Sequence, residues 1–242
     1  PDGIYIKVVG IYDEANDNAL WLNRISSAGD IEISADKSIY QLTNASDIPY
    51  NIENEKPGTN LTLVSYKGSV GQAITNEDGS IKYDEEGFPI LTTYEEEVEG
   101  KKIKKQSKAI HVKNGASNVT IKAAKNIYVE GITSAEAGSE PQGTLNLNAG
   151  NVDPAKNLQN FGVYVNGSLN LADETSSKVS ADNLISLDTA KALSLNKELE
   201  AKDVKLRSKE NVTTNAVINA TNDVLMLGEL DAVVNEVVHA DH

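Results

Sequence analysis

The chain contains no cysteine, so disulfides, thiolate nucleophiles and cysteine-held zinc or iron-sulfur centres are all excluded. Aromatic residues make up only 5% of its 242 residues, with one Trp and two Phe, so the interior must be aliphatic and thin. Positive charge is short as well. Against 36 Asp and Glu there are 22 Lys and Arg, a net charge of −14, and the only arginines are Arg24 and Arg207. Such a polyanion repels phosphate backbones and anionic lipid surfaces, which argues against nucleic-acid partners and against membrane binding. The longest apolar runs are a few residues, too short for a transmembrane helix or a signal peptide, so no membrane insertion by this chain is expected. Pro1 followed directly by the strand-like Gly3–Val9 reads as an internal stretch of a longer protein.

What the chain does have is a repeat. The element Ala-x-Asp/Asn-apolar occurs at Ala181-Asp182-Asn183-Leu184 and Ala201-Lys202-Asp203-Val204, and one residue longer at Ala220-Thr221-Asn222-Asp223-Val224. From Asn183 to Asp203 to Asp223 the spacing is 20 residues each time. Weaker copies begin at Ala28, Ala124 and Ala149. Each opens a run with apolar residues two apart, such as Ile31 and Ile33, Ile127 and Val129, Ile185 and Leu187, or Val204 and Leu206, and a period of two means strand. A second series, Leu193 with Leu195 and Val212 with Thr214, falls between them. Helical spacing is not sustained; the short stretch Leu195–Glu200 falls where the repeat requires a corner.

A unit of about 20 residues cannot bury its apolar side alone, and stacking copies solves this. The predicted fold is an all-β, right-handed parallel β-helix of roughly ten coils. Ala fits its inner corners, Asn and Asp suit its turns, and stacked Asn can form amide ladders. An antiparallel β-sandwich is the competing fold, but it has no reason to keep a 20-residue register.

Two segments interrupt the pattern, dividing the chain into coils over 1–72, an insertion over 73–108 and coils over 109–242. Residues 43–58, with two prolines, read as a loop bulging from the first block. The insertion holds 9 acidic and 6 basic residues. Around a Glu99-Gly100 turn, Val98 should face Lys101, Glu97 should face Lys102 and Glu95 should face Lys104, an antiparallel hairpin projecting outward. It carries Tyr83, Phe88 and Tyr94, the candidate binding residues. Either these make a contact surface or the insertion is a decoration the rod tolerates.

Chemistry is sparse. Of three histidines, His239 and His242 are at the C-terminal end, and His111 alternates with Ile110 and Val112 as an outward strand residue. No His pair has metal-ligand spacing and no phosphate-cradling glycine loop appears, so no catalytic residue, metal or cofactor is expected and the chain is not read as an enzyme. Carboxylates on one exterior sheet would be the route to a polysaccharide-active enzyme, but no Asp pair recurs at the 20-residue register. Asp13–Asn18 is acidic enough for calcium but lacks the spaced EF-hand ligands and the Gly-Gly-x-Gly-x-Asp repeat, so it reads as a solvated acidic turn.

The alternation in Ser27–Ile33, Gly68–Gly71 and Ala124–Val129, together with the coils after Ala181, resembles the rod of two-partner-secreted filamentous haemagglutinin-like exoproteins, the leukotoxin-type filamentous adhesins above all. The resemblance spans most of the chain outside 43–58 and 73–108. It implies a long β-helical virulence protein, exported through an outer-membrane secretion partner, then secreted or held at the bacterial cell surface, with a host or target-cell receptor as the possible partner. It implies either a structural and adhesive segment or, on the same rod, the receptor-recognition segment of a contact-dependent toxin delivery protein.

Overall fold

A computed structural model describes residues 3–9, 19–42, 51–54, 56, 58–98, 100–113, 118–132, 143–172 and 178–241. The acidic run Asp13–Asn18 and residues 43–50 lie outside them. Among the described residues there is no helix, and every strand pairing but those inside the insertion is parallel. The chain forms a parallel β-helix.

One side of the rod is a nine-stranded sheet. Its members, in stacking order, are Ile4–Val8, Ile31–Ala35, Asn60–Ser65, Asn118–Ala123, Thr144–Asn151, Ser168–Leu171, Leu193–Leu195, Asn211–Thr214 and Asp231–Val234. Nine levels at the usual strand spacing make this sheet about 38 Å long. The coils that begin at Leu193 and Asn211 each have two more short strands, as in Glu198–Ala201 and Asp203–Ser208, so a unit of about 20 residues makes three sides. The face that carries the insertion stacks Asn126–Ile132, Leu158–Val165, the second half of Lys178–Thr189, Asp203–Ser208 and Val224–Gly228.

Period two becomes a set of interior columns. Ile33, Leu63 and Ile121 stack in one, and Leu145, Leu169, Leu193 and Val212 in another. Ile39, Val70, Ile127, Phe161, Ile185 and Val204 form a third, and all the side chains of these columns are buried. Leu206 stacks between Leu187 and Met226 and is fully buried, on the predicted inward track. Ala181, Ala201 and Ala220 are buried corners. Lys197 is the one fully buried lysine among the described residues, and its amine donates to Asn148 Oδ1 at 2.8 Å.

The asparagines also stack. Asn170 donates its amide to Asn146 Oδ1 (2.9 Å), Asn196 to Asn170 (2.7 Å), Asn215 to Asn196 (2.9 Å) and Asn235 to Asn215 (2.7 Å). Five coils are thereby tied along one outer edge by bonds of a single polarity.

Two sequence expectations are corrected. The segment 43–58 is not all loop, because Ile52–Asn54 is a strand paired with Ile25–Ser27 on one side and with Val112 and Lys113 on the other. Asn183 does not stack on Asp203. The register sets Leu184 against Asp203, nineteen residues apart, and only the next step, Val204 against Val224, is twenty. Asn183 is displaced because a register irregularity between Leu158 and Asn160 adds one residue to the adjoining Lys178–Thr189 strand.

Candidate functional site

The insertion leaves the rod at Gly71, where φ is +71° and an added Cβ would lie 2.0 Å from the Tyr128 carbonyl oxygen, so only glycine fits. Its neck is closed by the Gln72 amide donating to the Lys108 carbonyl at 3.0 Å. Residues 74–91 then form a short meander. Thr75 bridges Ile81 and Tyr83 bridges Pro89, both antiparallel, through turns with positive φ at Gly79 and Gly87. Asp84 shapes the second turn by accepting from the Phe88 amide at 2.7 Å. The hairpin follows, Tyr94–Val98 against Lys101–Lys105, with Val98 opposite Lys101, Glu97 opposite Lys102 and Glu95 opposite Lys104 as the sequence predicted.

The meander does not project. It lies down on the rod, where Ala73, Leu91 and Ala109 form a second apolar cluster with Tyr128, joined by Ile81 and Tyr164. Gly162 makes room, since a Cβ there would meet the Tyr128 ring at 2.8 Å. Beneath the meander the outward residues of successive coils stack as His111, Glu130, Tyr164, Asp188 and Arg207. Arg207 is the anchor. Its Nε and Nη2 grip Asp188 at 3.0 and 2.7 Å, Nη2 reaches Asp84 at 2.8 Å and Nη1 reaches Glu86 at 3.2 Å. Its guanidinium also lies 4.2 Å from the centroid of the Phe88 ring. Burial alone would lower the Arg207 pKa, but its bonds to Asp188 and Asp84 outweigh that and raise it. Two residues earlier on the same strand, Lys205 Nζ donates to the Gly87 carbonyl at 2.9 Å.

His111 stands on the outward track as expected but is covered. It is 8% exposed, and Nε2 lies 2.5 Å from Glu130 Oε2 without hydrogen-bond geometry. Burial pushes the Tyr128 phenol well above its ordinary range and raises that of Tyr164, so both are neutral hydroxyls at any physiological pH.

The three predicted binding residues do not form one patch. Phe88 is 1% exposed and is a packing residue beneath Arg207, not an outward anchor. Tyr83 is 45% exposed and Tyr94 half-buried, and they line different clefts. The larger cleft, about 490 Å³, lies at the C-terminal ends of the face's strands between Tyr94 and Leu91 of the insertion and Tyr164, Asp188 and Glu229 of the rod. At the opposite ends of the strands are two smaller clefts of about 260 and 330 Å³ that share Asn160; Tyr83 lines the second. Sequence reading missed the rod aromatics of this face, Trp21, Tyr40, Tyr128 and Tyr164. Their signal was present, because each sits in a strand at an outward position, Tyr128 and Tyr164 between buried aliphatic neighbours and Trp21 and Tyr40 beside one.

The site's carboxylates offer little for acid-base chemistry, since Asp84, Glu86 and Asp188 all neutralise Arg207. Among the described residues no group of three or more His, Asp or Glu is placed to hold a metal ion. No protein-family model matches the chain, and neither does any curated protein or solved structure.

Proposed function

We propose that this chain is a structural and adhesive segment of a secreted bacterial filamentous surface protein, of the haemagglutinin-like or leukotoxin-type adhesin class, that supplies reach and attaches to host cells. The observation that carries the reading is the division of labour between the nine-level stack and one decorated face. The stack repeats aliphatic columns level after level and an amide bond through five coils, which suits a spacer, while the insertion and most of the described aromatic residues lie on a single side. An outer-membrane secretion partner and a cell-surface receptor belong to the same proposal. Export without folding suits a chain lacking cysteine and built from local coils that fold as they emerge.

The test is adsorption of the purified chain to host-cell membranes and, in parallel, to bacterial outer membranes. Saturable binding to host membranes that is lost when the insertion face is altered is the expected result. Binding to bacterial outer membranes alone would transfer the chain to contact-dependent toxin delivery, and binding to neither would leave it a spacer without adhesive function.

A further inference from the structure

The decorated face has opposite electrostatics at its two edges. The large cleft is lined by Asp84, Glu86, Asp188 and Glu229 against Arg207 and Lys209, an excess of two negative charges. The paired clefts at the other edge are lined by Lys108, Lys202 and Lys205 against Asp203, an excess of two positive charges on a chain of net charge −14. Positive character is thus concentrated where the molecule as a whole is hostile to anions.

The same edge carries stacking surfaces. Trp21 and Tyr40 occupy one outward column, with ring centroids 5.3 Å apart and edge to face. Trp21 is 51% exposed, and Tyr40 opens the first cleft. Tyr83 stands over the second. Between them lie planar amides, Gln72 and Asn160, and the Tyr128 side chain, which is 5% exposed with its hydroxyl buried and without a hydrogen-bond partner.

We propose that these clefts form one groove for an oligosaccharide bearing carboxylates, of the sialic-acid or uronic-acid kind. From the level of Tyr40 to that of Asp203 is five strand spacings, about 24 Å, which suits a chain of rings and exceeds a single sugar. The groove runs across the strands, whose backbone groups are spent in the ladder, so an extended peptide would find no strand edge to pair with. Sugar rings need none. Their C–H faces stack on Trp21, Tyr40 and Tyr83, their hydroxyls meet Gln72 and Asn160, and their carboxylates meet Lys108 and Lys202. This deepens the adhesive reading and rests on it for its biological role, though not for its chemistry.

Trp21 is the only tryptophan in the chain, so its emission reports on one end of the groove. The test titrates the intact chain with sialylated and uronic-acid oligosaccharides, their neutral counterparts and a sulfated counterpart, following Trp21 fluorescence and heat. The expected result is saturable binding of carboxylated chains. It should weaken at least about tenfold in a Lys108→Ala/Lys202→Ala variant and in Tyr83→Ala, with melting unchanged, and weaken with added salt. Equal or tighter binding of neutral chains, binding of sulfated chains alone, or no binding would overturn the proposal. Cell attachment that survives Lys108→Ala/Lys202→Ala would also overturn it while leaving the adhesive reading in place. Oligosaccharide binding without cell attachment would do the reverse.

Discussion

The two halves of the insertion have opposite relations to the rod. In the first, residues 73–91, Phe88 and Leu91 are buried, and Arg207 and Lys205 of coils more than a hundred residues away hold the turn around Gly87. In the second, every residue of Lys101–Lys105 is exposed, and its links are side-chain pairs such as Lys82 with Glu96 and Lys102 with Glu95. Both are antiparallel and charged, yet one has become part of the stack and the other remains an appendage. Pairing among its own strands does not make an insertion independent; what decides is where its apolar side chains are buried.

The largest effect should come from replacing 73–107 with a short Gly-Ser connection. This strips the cover from Tyr128 and Tyr164 and leaves Arg207 without Asp84, Glu86 and Phe88, so Tm should fall by at least about 10 °C by calorimetry. A melting point equal to the parent would make both halves appendages and end the contrast. Phe88→Ala should cost about 3 to 5 kcal/mol in denaturant melts, as a core aromatic does. Leu206→Ala, inside the rod, sets the standard for comparison at about 2 to 4 kcal/mol, with Leu206→Asp worse. Should Phe88→Ala cost much less than Leu206→Ala, the docked half would not be part of the core in energetic terms. Arg207→Met should cost about 1 to 3 kcal/mol, less than a fully buried ion pair because its surroundings are partly solvated.

Replacement of the hairpin alone, residues 95–104, should change stability by less than about 1 kcal/mol. Acid should separate the halves too. The Lys82 ammonium bonded to Glu96 holds that carboxyl below its ordinary pKa, and the contact raises Lys82 in turn. A depressed carboxyl contributes above its unfolded pKa and loses the contribution as pH falls through the folded one. NMR titration should therefore show the Lys82–Glu96 tie released only below the ordinary carboxylate range, with Phe88 still packed. Simultaneous loss of both signals would mean that the hairpin holds the meander down.

Much of this was legible in the sequence because it is local or periodic. Alternation placed Ile127 and Val129, or Val204 and Leu206, on the buried track, and charge complementarity with one turn fixed the hairpin register. The 20-residue period missed the 19-residue step at Leu184 because an irregularity in one coil moves a motif without moving the core columns. The docking of the meander was hidden for another reason. Its bonds join residues about 120 positions apart and come from single side chains, such as Glu86 to Arg207, which leave no periodic trace. The clues were a glycine at an outward strand position, Gly162, and a solitary arginine on an otherwise unremarkable coil.

The asparagine ladder bears on how such a molecule can change length. Its rungs are separated by 24, 26, 19 and 20 residues, yet each makes the same bond. Extra residues are taken up at the corners or, at Asn196, which lies two residues past the Ser194 that pairs with Asn170, along the strand. A tandem duplication of one coil would supply a new rung with a donor for the coil before it and an acceptor for the coil after it, so neither neighbour would need a compensating change. Growth by copying is close to neutral along the last two of these coils, those of Asn215 and Asn235. It is not neutral beneath the insertion, where an added level would separate Arg207 from Asp84, and selection on length should therefore act on the undecorated part of the rod.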